Sequence, residues 1–160
     1  LCRRRRGQGR VMSIRFRPAT REDVPEVVAL LSDDILGAGR ETAGLDRYLA
    51  AFEAMQGETG NQLIVAEDAG GRVVACYQLI VMSGLSLSAT RRAEIEAVRI
   101  AASLRGQGLG AQLIADAESR ARAAGCGLLQ LTSNASRSDA LRFYQGAGFT
   151  PSHIGFKKPL

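Results

Sequence analysis

The chain has no tryptophan and only eight aromatic residues among its 160. Proteins that grip single-stranded nucleic acid stack bases on aromatic side chains, and there is little here to stack on. There is one histidine, His153, near the end of the chain. No second residue of metal-ligand type stands close to it, so no metal site is expected, and a strand position suits it better than a catalytic one. Cys2, Cys76 and Cys126 are odd in number and lack metal-like spacing. Cys76 lies in a hydrophobic run and Cys126 between two glycines, the setting of buried reduced thiols in a cytosolic protein. A nucleophilic cysteine would want a partner base that the lone histidine does not supply. No run of about 18 apolar residues occurs, which excludes a membrane-spanning helix. The N-terminal arginines are followed by no apolar segment of the kind a secretory signal requires.

Acidic residues are missing from positions 1–11, which hold Arg3, Arg4, Arg5, Arg6 and Arg10. Those five account for the whole net charge of +5, since the remaining 16 basic side chains face 16 acidic ones. A basic arm can bind nucleic acid or an acidic surface, but the neutral remainder disfavours a nucleic-acid partner. Met12-Ser13 has the look of a natural start. Residues 1–11 are therefore expected to be a disordered basic tail that need not be native. Residues 12–160 are expected to form one domain, long enough to bury a real core.

What is present begins with a short strand over Ser13 to Arg17, ended by Pro18. Thr20 or Asp23 can cap a helix with Val24, Val27, Val28 and Leu31 on one face, and Pro25 favours Asp23 because it must lie in the first turn. A Gly- and Asp-rich loop, 32–44, leads to a second helix over about Leu45 to Met55. Asn61 to Glu67 and Arg72 to Met82 read as strands joined by the turn Asp68-Ala69-Gly70-Gly71. The second is apolar almost throughout, as in a strand buried on both faces. After a loop over 83–90 comes a strand at Glu94 to Ile100. Then follows a helix with Leu109, Leu113, Ile114, Ala117, Ala121 and Ala124 at near-helical spacing. A strand at Leu128 to Thr132 precedes a short helix ending near Gln145. Ser136 or Ser138 caps that helix, and Ser136-x-x-Asp139 resembles a capping box. Residues 149–152 and 153–158 read as a last pair of strands. The order is βααβββαβαβ(β), a mixed sheet between helices.

The centre of the pattern is Arg105-Gly106-Gln107-Gly108-Leu109-Gly110, between a strand and a helix. Glycine lets the backbone turn sharply and approach a ligand closely, and the first-turn N–H groups of the helix lie at the positive end of its dipole. That arrangement suits a phosphate or pyrophosphate. It is not a nucleotide P-loop, since no Lys-Ser or Lys-Thr follows. A dinucleotide fingerprint is formally met by Gly106, Gly108 and Ala111. It calls for an acidic residue at the end of the next strand, where this chain has Ser133-Asn134. A tight turn with no ligand is the bland alternative.

The six-residue loop resembles the acyl-CoA pyrophosphate loop, Gln/Arg-x-x-Gly-x-Gly/Ala, of the GCN5-related N-acetyltransferase (GNAT) superfamily. A Glu-bearing strand before it, a strand ending in Asn134, a helix carrying Phe143-Tyr144 and then Gly148-Phe149 follow the family's order and spacing over Ile14 to Lys158. The resemblance implies an α/β (α+β) fold with a mixed central sheet of six to seven strands flanked by about four helices. It implies acetyl-CoA as acyl donor and no metal. The pyrophosphate would take backbone N–H groups of Gly106, Gln107, Gly108, Leu109 and Gly110, with Arg105 adding charge. The pantetheine arm would run beside Ala97 to Ile100, on a strand that in the family is bulged and splayed, and bond the backbone of Val98 and Ile100. Asn134 would offer a donor and an acceptor to the same arm; otherwise it is a turn residue.

Acyl transfer to an amine needs a proton removed from the amine and one supplied to the departing sulfur. Tyr144 matches the family's general acid, and a phenol with pKa near 10 keeps its proton at neutral pH. Glu96 matches a family glutamate that commonly acts as base through water. Glu94 shares its strand face and is the alternative, and some members use no dedicated base. The expected function is acetyl transfer from acetyl-CoA to an amine-bearing acceptor, a small molecule rather than a protein, in the cytoplasm, with a homodimer open. The alternative is a non-catalytic CoA-binding sensor or partner module.

Overall fold

The computed structural model of the protein describes residues 13–160. The expected basic tail and the Met12 start lie outside the described residues. Among those residues five strands form one sheet in the order β1-β2-β3-β4-β5: β1 Arg15–Pro18, β2 Asn61–Glu67, β3 Val73–Met82, β4 Arg92–Ile100 and β5 Leu128–Leu131. The first four pair antiparallel, while β5 joins β4 in parallel. A parallel neighbour needs a crossover, and α5 (Leu109–Ala123) supplies it. The other helical segments are α1 Val24–Ser32, α2 Ile35–Ala38, α3 Leu45–Gln56, α4 Ser86–Ala89 and α6 Ser138–Gly146.

Alternation along the strands divides the core between the two faces of the sheet. Ile64, Tyr77, Leu79, Ala93 and Ile95 face α5, whose Leu109, Leu113, Ile114, Ala117 and Ala121 are the buried stripe that the helical spacing predicts. Ile64, Ile95, Leu109 and Leu113 are at most 1% exposed, and each such side chain contributes ~1.5–3 kcal/mol by leaving water. On the other face Val65, Val73 and Cys76 meet Val27 and Leu30 of α1.

Polar groups fix how the helices seat. The Tyr77 hydroxyl, fully buried on β3, donates to Asp116 of α5 at 2.5 Å. Arg120 closes on the same carboxylate at 2.8 Å and reaches the Phe16 carbonyl of β1. Before α1, Asp23 accepts two bonds from Arg17 (2.6 and 3.0 Å) and one from the Thr20 N–H (2.7 Å). Pro25 falls in the first turn of α1, where its missing N–H costs nothing.

The structure corrects the sequence reading in three places. The sheet has five strands among the described residues, not six to seven. Residues 149–160 hold no ladder pairing: Pro151 lacks an N–H to give one, and Ile154 and Phe156 stay 81% and 92% exposed rather than packed on a sheet face. The helix count is six, not about four, because two loops contain single turns. Asp34 starts α2 by accepting the Gly37 N–H. Residues at α4 turn left-handed, with φ 54° at Leu87, 57° at Ser88 and 59° at Ala89. No glycine announces that turn, and such residues cost roughly 1–2 kcal/mol each. The start of α6 has no side-chain cap. Its N-cap is Arg137, and Ser136 is engaged elsewhere.

Candidate active site

The site opens where β4 and β5 part. Their last register pair is Ile95 with Leu131, and β4 continues from Glu96 to Ile100 without β5 beside it. At the same point the β3–β4 register shifts between Cys76 and Gln78, and Ala97 takes φ 52°. The bulge and splay implied by the family likeness are therefore features of this chain. Val98 and Ile100 lie along the splayed stretch, where their carbonyls accept from Arg99 (2.9 Å) and Arg105 (3.1 Å).

Beyond β4 a single 3₁₀ turn, Ala102–Leu104, leads into the glycine loop. Gly106 (φ 72°) and Gly108 (φ 84°) are both left-handed, with open space where a Cβ would stand. Glycine is required there by the backbone rather than by crowding. Gly108 is the N-cap of α5, so the N–H groups of Leu109, Gly110 and Ala111 belong to the turn that lacks helical acceptors. Gly110 has another constraint, since a Cβ there would meet Phe143 Cζ at 2.9 Å. Arg105 ties this loop to the α1–α2 connection through the Asp33 carbonyl and, at 3.8 Å, its carboxylate. Gln107 turns back to the Ser103 carbonyl. A cradle of backbone donors at a helix start, continuous with an open strand edge, fits the pyrophosphate and pantetheine arm of an acyl-CoA.

Tyr144 and Glu96 are the two proton-carrying candidates. Tyr144 stands half-buried on α6, edge-on to Phe143 (5.1 Å between ring centres) and Phe149 (5.8 Å). Burial pushes its phenol up, while the charges of Arg137 and Arg99 pull the other way. Glu96 lies half-buried on the sheet face away from α5. Burial raises its carboxyl above the ordinary 4.5, the hydrogen bond and charge of Glu94 raise it further, and Lys157 opposes. Glu94 is itself anchored by the Gln130 amide of β5 at 2.9 Å. On the other side of Glu96, its β3 partner Gln78 donates to Asn61 of β2 at 2.8 Å. Glu94 and Glu96 on β4 thus stand between side-chain amides of β2, β3 and β5.

Asn134 uses its side-chain oxygen internally, accepting from the Ser136 N–H (3.0 Å) and hydroxyl (2.8 Å). Only its amide hydrogens remain for a ligand. Sequence reasoning passed over Gln130, Arg137 and Lys157, and it offered Arg99 only as a partner for Glu94 or Glu96. Period-two alternation from Leu128 places Gln130 opposite the packed Leu129 and Leu131 and was a usable signal. In the structure Arg99 pairs with Asp34 instead, its buried Nε 3.6 Å from the carboxylate and without a hydrogen bond, an arrangement that depends on the fold. Among the described residues no cluster of His, Cys, Asp and Glu could hold a metal ion, and no helix is long and apolar enough to cross a membrane.

Comparison with known proteins agrees with this geometry. The acetyltransferase (GNAT) family matches residues 25–149. The chain belongs to that family. Over 67 residues it is 45% identical to an aminoalkylphosphonate N-acetyltransferase of Salmonella typhimurium (strain LT2), a match covering 42% of this chain and 44% of that protein. The chain thus aligns with less than half the length of that relative. A crystal structure described as a transcriptional regulator from Bacillus halodurans C-125 superposes with a TM-score of 0.87 at 39% identity, covering 92% of this chain and all of the other. An acetyltransferase of Trypanosoma brucei superposes with a TM-score of 0.76 at 25% identity, covering 92% of this chain and 100% of the other.

Proposed function

We propose that this protein transfers an acetyl group from acetyl-CoA directly to the amine of a small-molecule acceptor. The observation that carries the reading is the parting of β4 from β5 immediately before Glu96 on a strand that leads into the glycine loop. The loop's N–H groups and Arg105 bind the pyrophosphate, and the freed edge at Val98 and Ile100 takes the pantetheine arm, helped by the amide hydrogens of Asn134. Acetyl-CoA supplies the activated acyl group. Glu96 takes the proton that the acceptor must lose, with Glu94 holding its place and Gln130 holding Glu94. Tyr144 gives its proton to the departing sulfur; a phenol held above its ordinary value remains protonated until then. Aminoalkylphosphonates, the acceptors named for the Salmonella relative, join primary amines and amino acids as the first to try.

Titration calorimetry with acetyl-CoA, against NADH and ATP, tests the donor. Micromolar binding of acetyl-CoA alone is expected, and its absence ends the reading. An amine screen followed by thiol release then finds the acceptor. A second reading, a CoA-binding sensor or partner module, is favoured by the regulator description of the Bacillus halodurans relative. Tyr144→Phe separates the two. Loss of turnover with acetyl-CoA affinity retained supports the enzyme, whereas an amine screen with no turnover by the acetyl-CoA-bound protein supports the sensor.

A further inference from the structure

Side chains an odd number of residues apart on a regular strand point to opposite faces, which would set Arg99 against Glu96. The bulge at Ala97 inserts one residue between them and restores the phase. Glu96 stands opposite Gln78 and Arg99 opposite Cys76, alternate residues of β3 that share a face. Cys76 packs with α1, so Glu94, Glu96 and Arg99 all line the sheet face that meets α1. The backbones of Glu96 and Arg99 are about 7 Å apart along the strand. The two charges do not neutralise each other. Among the described residues the one ion pair of Arg99 is with Asp34.

That pairing leaves Arg99 underused. A guanidinium carries five N–H donors, and among the described residues its one hydrogen bond runs from Nη1 to the Val98 carbonyl at 2.9 Å. Nε is buried and has none. It lies 3.6 Å from an Asp34 carboxylate whose other oxygen is taken by the Gly37 N–H. The side chain is only 16% exposed, and buried donors are ordinarily bonded. A fork anchored through Nη1, with Nη2 uncommitted, suits a carboxylate or phosphonate oxygen pair. We propose that Arg99 takes an acid group on the acceptor, so that the protein acetylates small amines bearing a carboxylate or phosphonate, the amine at Glu96 and the acid at Arg99. This rests on the acetyl-transfer reading above and adds a substrate class and the residue that selects it. The acid is unaltered in the reaction. The ammonium gives one proton to Glu96, the N–C bond forms as the C–S bond breaks, and the nitrogen sheds its second proton. The sulfur leaves as the thiol, so ammonium and thioester become amide and thiol with one proton released.

The test follows thiol release by the full chain at saturating acetyl-CoA with β-alanine, 2-aminoethylphosphonate, ethylamine and β-alanine ethyl ester. The first two add an acid to ethylamine, and the ester masks it. Both acids are expected to exceed ethylamine and the ester by about tenfold or more in kcat/KM. In Arg99→Gln the ratio of acid to ethylamine should fall about 10- to 100-fold, whatever happens to the overall rate, and Arg99→Lys should recover part of it. Calorimetry with acetyl-CoA on the same variants checks that the donor cleft is intact. An equal loss on acids and ethylamine would mean that Arg99 serves only the fold, and overturns the proposal. So does native protein that takes ethylamine or the ester as well as the acids, a comparison that needs no variant. Acetyl-CoA bound with uncharged amines preferred overturns the substrate class and leaves the acetyl-transfer reading standing. Failure to bind acetyl-CoA overturns both.

Discussion

Glu94 and Glu96 show how two like residues on one strand face come to differ. Glu94 is bonded to an amide from β5, whereas the Glu96 carboxyl is raised by its burial and by the neighbouring carboxylate. A carboxyl raised above its ordinary value binds more protons folded than unfolded. Its stabilising share is therefore complete below about 4.5 and is lost as pH rises through the folded value. As a base it works only above that value. Glu94→Gln should move the acid limb of the kcat/KM profile to lower pH, and a limb that does not move would remove Glu94 from the account. Carboxyl carbon NMR of Glu96 reads the same shift without an acceptor. Gly110 is the other residue whose identity has a local reason. In Gly110→Ala the new methyl must push the Phe143 ring aside, which at a half-exposed contact should cost ~1 kcal/mol in denaturant unfolding. Because Phe143 adjoins Tyr144, turnover should fall further than stability alone implies.

At the scale of elements, what could be read from sequence was what periodicity encodes. Asn61–Glu67, an apolar run closed by the turn at Asp68-Ala69-Gly70-Gly71, was delimited to the residue; the stripe from Leu109 to Ala121 placed α5. The splay beside Glu96 came through likeness to a family, since no residue between Ile95 and Ile100 announces positive φ at Ala97. The strand pattern of Ile154 and Phe156 misled because alternation shows what a segment can pair with, not whether an edge accepts it. Single turns such as α2 rest on one cap, Asp34, which a Gly- and Asp-rich stretch hides. The seating of α5 is likewise invisible in sequence, since Tyr77 and Asp116 are 39 positions apart. Tyr77→Phe should cost ~1.5–3 kcal/mol, because the Asp116 carboxylate loses a buried donor and keeps only Arg120. Since α5 begins at the glycine loop, the same change should weaken acetyl-CoA binding. Unaltered stability would mean that Asp116 is served by Arg120 alone.

On the scale of the whole molecule the charge is divided rather than spread. Residues 1–11 carry five arginines and no acid, while 12–160 balance 16 against 16. Electrostatic attraction to a polyanion depends on how many cations reach phosphates together, so any such binding belongs to the first 11 residues. Five arginines displacing counterions would give a log–log salt slope of about −4 to −5 on duplex DNA. In the proposed reading acyl-CoA recognition draws on Arg105 and on backbone donors far along the chain, with no call on that arm. Deleting residues 1–11 should therefore abolish salt-sensitive retention on DNA and leave acetyl-CoA affinity within about twofold, a change of less than ~0.5 kcal/mol. The two titrations on one pair of proteins decide it. DNA retention that survives the deletion would require a basic surface within the neutral body. A large loss of acetyl-CoA affinity would mean that the arm reaches the cleft and contributes to the anion site.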